Sequence, residues 1–117
     1  IYSENILTIF EDKERYDIIE EYPRDRRSRA DLVVFDFQDK TIELWTEVQE
    51  TLLGNRKWER KLKAAMAYKP VRIDVVLTER TRKDIDPVRN ILKQLKVRFG
   101  IFVVNTHTLH LSEIVSV

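Results

Sequence analysis

Apolar residues recur at two different spacings along the chain, and the switches between them divide it into elements. Ile6, Leu7 and Phe10 fall three to four apart behind Ser3, an N-capping residue type, and predict a short helix from Glu4 to about Glu14. Tyr16 to Tyr22 reads as a short strand closed by Pro23. β-Forming residues fill Asp31 to Phe37, Asp39-Lys40 supplies a turn, and Thr41 to Gln49 returns, so this stretch predicts a hairpin. Gly54 and Asn55 open a helix to about Tyr68, with Trp58, Leu62, Ala65 and Met66 at helical spacing and Pro70 as its stop. Val71 to Leu77 is apolar enough for a central strand. Asp86 as N-cap and Pro87 at the first helical position start a helix bearing Val88, Ile91, Leu92 and Leu95. Gly100 leads into a strand at Ile101 to Val104, and a last strand covers Thr108 to Val115. The predicted order is α-β-β-β-α-β-α-β-β, an α/β domain with helices packed on a mixed sheet and an antiparallel meander at its front.

Composition narrows the class. Leu, Ile, Val and Phe number 11, 11, 12 and 5 of 117 residues, enough apolar surface to exclude disorder of the whole chain. No apolar run approaches the roughly 20 residues of a membrane-spanning helix, so no membrane partner is expected. Ile1-Tyr2-Ser3-Glu4 carries no basic-then-apolar leader. The length predicts a single domain over residues 1–117, and the start at Ile1 rather than Met points to a piece of something longer. Without cysteine there is no disulfide framework, thiolate metal site or thiol nucleophile, and a cytoplasmic location is expected. The 21 Lys and Arg balance 20 Asp and Glu, so only local clustering of charge can predict a nucleic-acid partner. The 35% share of charged residues, with three Gln and four Asn, resembles a thermophile composition.

The stretch that carries chemistry is Asp31 followed by Glu47-Val48-Gln49. Alternation along a strand puts Glu47 and Gln49 on one face, about 6–7 Å apart. Asp31 begins the preceding hairpin strand and falls beside Glu47. Two carboxylates converging from neighbouring strands suit a hard divalent cation, Mg²⁺ or Mn²⁺, which takes oxygen ligands and keeps several waters. Such a cation polarises a phosphodiester and lowers the pKa of a bound water.

An acid in a first helix, three antiparallel strands, Asp on the second, acid-x-Lys on the third, then a helix and a strand: in this layout the chain resembles the PD-(D/E)XK nuclease superfamily from Glu4 to about Leu77. The superfamily includes restriction endonucleases and archaeal Holliday junction resolvases. The resemblance implies a restriction-endonuclease-like fold and a metal-dependent DNA endonuclease. Asp31 and Glu47 would hold the metal, Glu4 would help through water, and Gln49 would stand where the motif has Lys. Ala30 replaces the motif's Pro. A minority of restriction enzymes carry Glu-x-Gln at the same place, and in other branches the lysine migrates to the following helix, where this chain has Lys57 and Lys61. The exonuclease branch has Gln-x-x-x-Tyr on that helix; here Ala64 precedes Tyr68. A chain of this fold that no longer cleaves, and binds nucleic acid or serves a larger assembly, is the alternative.

Glu20 and Glu21 compete with Glu4 for the place of third acid. His107 and His110, three apart near a strand start, read as surface or structural histidines. Basic residues cluster twice: Arg24, Arg26, Arg27 and Arg29 precede Asp31, and Arg56, Lys57, Arg60, Lys61 and Lys63 line the helix after Glu47. Phosphate contacts from these residues would supply DNA affinity without sequence specificity. The apolar tail Leu109–Val117 offers an edge for a homodimer.

Overall fold

The computed structural model describes Ile6, residues 9–22 and 30–105, and the backbone of 110–116. Its strands are β1 (Tyr16–Tyr22), β2 (Ala30–Asp36), β3 (Thr41–Gln49), β4 (Arg72–Thr78), β5 (Arg98–Asn105) and β6 (His110–Ser116). They form one mixed sheet in the order β1-β2-β3-β4-β5-β6. The β1–β2 and β2–β3 pairs are antiparallel, β3–β4 and β4–β5 are parallel, and β6 returns antiparallel to β5. A parallel pair needs a long crossover. Helix α1 (Asn55–Met66) supplies it between β3 and β4, and helix α2 (Ile85–Leu95) between β4 and β5. The α/β class, the mixed sheet and these two helices agree with the pattern of the sequence. No helix among the described residues is long and apolar enough to cross a membrane.

The central strands are apolar on both sides because both of their faces are covered. On one face Val33, Trp45, Ile73, Val75, Leu77, Phe99, Ile101 and Val103 pack against Trp58, Leu62 and Ala65 of α1 and Val88, Ile91 and Leu92 of α2. On the other face Leu32, Val34, Leu44 and Val76 pack with Ile6, joined by Phe10, Tyr16 and Phe102. That second face also buries Asp74, paired with Arg72 at 2.7 Å. Gly100 lies opposite Asp74 on β5, where a Cβ would collide with the Arg72 guanidinium and stand 2.9 Å from the Asp74 carboxylate. A side chain there would force Arg72, Asp74 and Phe102 to shift.

Several boundaries differ from the sequence expectation, each for a local reason. The first helical stretch ends by Phe10, whose N–H donates to the Ile6 carbonyl at 2.9 Å, and a turn over 13–15 replaces the expected continuation to Glu14. Helix α1 stops at Met66, ahead of Lys69 at φ 50°. Helix α2 starts at Ile85, so its N-cap position belongs to Asp84 and not Asp86, and Pro87 lies in the first turn. A 3-10 helix, Glu79–Asp84, connects β4 to α2. Strand β5 starts at Arg98, ahead of Gly100, and β6 runs from His110 to Ser116.

Asp84 does not cap its helix. Its carboxylate is buried and accepts the Trp58 indole N–H at 2.8 Å and the Leu53 backbone N–H at 3.2 Å. That contact ties the start of α2 to the start of α1, and so sets where α1 lies on the sheet. Trp58→Phe keeps most of the packing and removes one of the two donors to a buried carboxylate. It should destabilise the fold by about 1–3 kcal/mol in urea unfolding, and a loss below about 0.5 kcal/mol would show that Asp84 does not depend on the indole.

Candidate functional site

β3 is where the antiparallel meander meets the parallel half of the sheet, with β2 on one side and β4 on the other. The β2–β3 register pairs Leu32 with Thr46. Carried one residue further, it sets Asp31 opposite Glu47, and directly opposed residues of an antiparallel pair share a face. The backbone ladder ends there because the Asp31 side chain takes over. Its Oδ2 accepts the Val48 N–H at 2.7 Å.

Asp31 is exposed, whereas Glu47 is only 1% exposed. Glu47 Oε1 accepts the Trp45 indole N–H at 2.8 Å. Oε2 lies 3.2 Å from Lys61 Nζ, so an ammonium supplies the charge opposite this buried oxygen. Burial pushes the Glu47 carboxyl up to about 7. The Lys61 ammonium and the Trp45 indole pull it down without offsetting burial, and the nearby Asp31 charge adds to the rise.

Local structure explains how Lys61 arrives. Helix α1 runs back over the sheet with Trp58, Leu62 and Ala65 buried, which fixes its rotation. Lys61 then flanks the buried stripe, half-buried, and reaches over Glu47. Lys57, one turn earlier, is exposed and makes no ion pair among the described residues. Of the two candidate lysines the structure brings Lys61 to the carboxylates and leaves Lys57 at the surface.

Gln49 is engaged by the loop that follows it. Its amide nitrogen donates to the Thr51 carbonyl at 2.9 Å and to the Thr51 hydroxyl at 2.8 Å, so the side chain folds onto the loop after β3. Glu4 and the loop arginines Arg24, Arg26, Arg27 and Arg29 lie outside the described residues, as does His107; His110 is described by its backbone alone. Glu20 and Glu21 are exposed on β1, and no group of three His, Cys, Asp or Glu among the described residues is placed to hold one metal ion. Arg56, Lys57 and Arg60 are exposed on α1.

Trp45 is the site residue that sequence reasoning missed. Its signal was the Trp45-x-Glu47 spacing, which puts an indole donor and a carboxylate on one strand face. The ring is held by stacking on Tyr68, with centroids 5.1 Å apart.

Asp31, exposed, and Glu47, buried beside Lys61, are the two carboxylates a hard cation would take, its shell completed by water. No protein family, curated protein or solved structure matches the chain.

The Glu47 environment predicts a pH dependence. Its carboxyl stays protonated in the folded state up to about pH 7, against 4.5 for an ordinary glutamate. Its favourable contribution is therefore complete below 4.5 and is lost as pH rises through about 7, a fall of about 3 kcal/mol from the difference between the two values. Glu47→Gln should remove that fall in urea unfolding between about pH 4 and about pH 8. Parallel curves for the two proteins would show that Glu47 titrates normally.

Proposed function

We propose that this chain is a metal-dependent nuclease domain of the PD-(D/E)XK kind, hydrolysing DNA phosphodiester bonds at Asp31, Glu47 and Lys61. The observation that carries this proposal is Lys61, delivered by the helix after β3 onto a buried Glu47 that has Asp31 beside it. Acid, acid and lysine are the groups the resemblance implies, with the lysine coming from the helix and not from the position of Gln49. The strand order of a meander followed by a parallel crossover supports a restriction-endonuclease-like fold.

Asp31 and Glu47 are the residues that would hold Mg²⁺ or Mn²⁺, which when bound supplies Lewis-acid polarisation of the phosphate. The chain's own contributions are separate. Trp45 fixes the Glu47 carboxylate in place through Oε1. The Lys61 ammonium stabilises negative charge developing at the phosphate and attacking water, as a preplaced cation does in a water-poor site. Glu4 is the helix acid the resemblance implies. Arg24, Arg26, Arg27 and Arg29, with Arg56, Lys57 and Arg60, grip the phosphate backbone. A homodimer, presenting two such sites to two strands, and a cytoplasmic location complete the proposal.

One observation favours the rival, a module that binds without cutting. Glu47 already has Lys61 and Trp45 as partners, and the Gln49 amide is satisfied by Thr51, so the polar groups are largely paired within the chain.

Incubation with plasmid, junction and flap DNA in Mg²⁺, Mn²⁺ or EDTA separates the two. Metal-dependent cleavage is expected, abolished by Asp31→Ala and by Glu47→Ala. Lys61→Ala should cost about 10²-fold or more in rate, the range of one lost electrostatic stabiliser. Gln49→Ala should cost only a few-fold, because its amide is engaged elsewhere. A wild-type chain inert on every DNA in Mn²⁺, and still inert as Gln49→Lys, would favour the binding module.

A further inference from the structure

The 3-10 helix Glu79–Asp84 leaves the C-terminal end of β4, the same end of the parallel strands as Glu47 and Gln49. It is pinned there from its inner side. The Thr81 hydroxyl donates to the Gln49 carbonyl at 3.1 Å and accepts the Thr78 N–H at 2.8 Å. Asp84 holds Trp58 and Leu53 of the α1 segment. Residues three apart eclipse in a 3-10 helix, so the buried pair Thr81 and Asp84 forms one side and turns Arg80 with Lys83, and Arg82 with Glu79, outward.

Several cations elsewhere in the chain are held by carboxylates. Arg15 pairs with Asp36, Lys63 with Glu59, Arg72 with Asp74 and Arg89 with Asp86. Arg80, Arg82 and Lys83 are exposed and make no ion pair among the described residues. Of the turn's two acids, Asp84 is turned inward and spent on Trp58, and the exposed Glu79 shares a side with Arg82 alone. What results is a cationic turn on a fixed mount beside the candidate site, at the carboxyl end of the strands, where open α/β sheets bind their ligands. The exposed cations Arg56, Lys57 and Arg60 lie on the α1 segment that Asp84 holds through Trp58.

We infer that Arg80, Arg82 and Lys83 form a second phosphate-gripping arm, which holds the backbone of duplex DNA at the carboxyl end of the strands, alongside the start of α1. The choice of DNA as the polyanion rests on the proposed nuclease function; the placement of the cations does not. Arg80 and Lys83 stand one 3-10 turn apart, about 6 Å along its axis, so two long side chains reach neighbouring phosphates of one strand. Contacts of this kind position the duplex and carry no sequence information.

Fluorescence anisotropy with a labelled duplex in EDTA, over a range of salt concentrations, tests the arm. One variant carries Arg80→Gln, Arg82→Gln and Lys83→Gln. A control carries Lys13→Gln, Lys93→Gln and Arg98→Gln, exposed cations at the opposite end of the sheet whose loss changes the net charge equally. The arm variant should flatten the plot of log affinity against log salt by about 2.7, from about 0.9 for each of three lost contacts, while the control leaves the slope as in the wild type. Equal slopes for the two variants, or no duplex binding by the wild type, or preference for an acidic peptide or RNA over the duplex, would overturn the arm. Cleavage in Mn²⁺ reports separately. A chain that loses slope in the arm variant but cuts nothing keeps the arm and loses the nuclease, and a chain that cuts while the arm variant binds unchanged does the reverse.

Discussion

Taking a carboxylate out of water costs several kcal/mol unless charge and hydrogen bonds replace what water supplied. Glu47 is buried on β3, and the arrangement around it answers that cost only in part: an indole on one oxygen, an ammonium near the other. The remaining deficit is visible as a carboxyl pushed up to about 7. A site purely for stability would place an apolar residue here, since breaking even with hydrophobic packing is the usual best case for a buried ion pair.

The rest of the site follows from β3 being the strand at which pairing changes from antiparallel to parallel. A parallel neighbour forces the chain to cross back over the sheet, and the apolar stripe of Trp58, Leu62 and Ala65 fixes which side of α1 faces down. Lys61 then has one place to go. The same constraint sends the 3-10 helix off the end of β4, next to Gln49, where Thr81 anchors it. Asp84 links both events, because its carboxylate ties the entry of α1 to the start of α2. Charge at the carboxyl end of the strands is therefore a consequence of chain path as much as of composition.

Some of this was legible in the residues alone. The apolar run of Val71 to Leu77, helical spacing of Trp58, Leu62 and Ala65, and turn residues at Asp39-Lys40 located the strands, the helices and the hairpin to within a few positions. Asp31 and Glu47 were legible as neighbours because cross-strand pairing follows from hairpin register. Helix ends were less legible. Asp86 and Pro87 have the chemistry of a helix start, yet Asp84 begins the element because the 3-10 helix before it runs straight into α2.

Periodicity, residue type and hairpin register are local properties, set within a few residues of chain by backbone sterics and side-chain direction, and they determined the class of fold and the carboxylate pair. The choice between Lys57 and Lys61, the burial of Glu47 and the mounting of Arg80, Arg82 and Lys83 belong to the tertiary structure. Each depends on contacts between segments distant in sequence: α1 with β3, the end of β3 with the 3-10 helix, Asp84 with Trp58. Rotation of a helix about its axis and desolvation of a carboxylate are decided by what packs against them, and that information exists only once the crossovers have closed over the sheet.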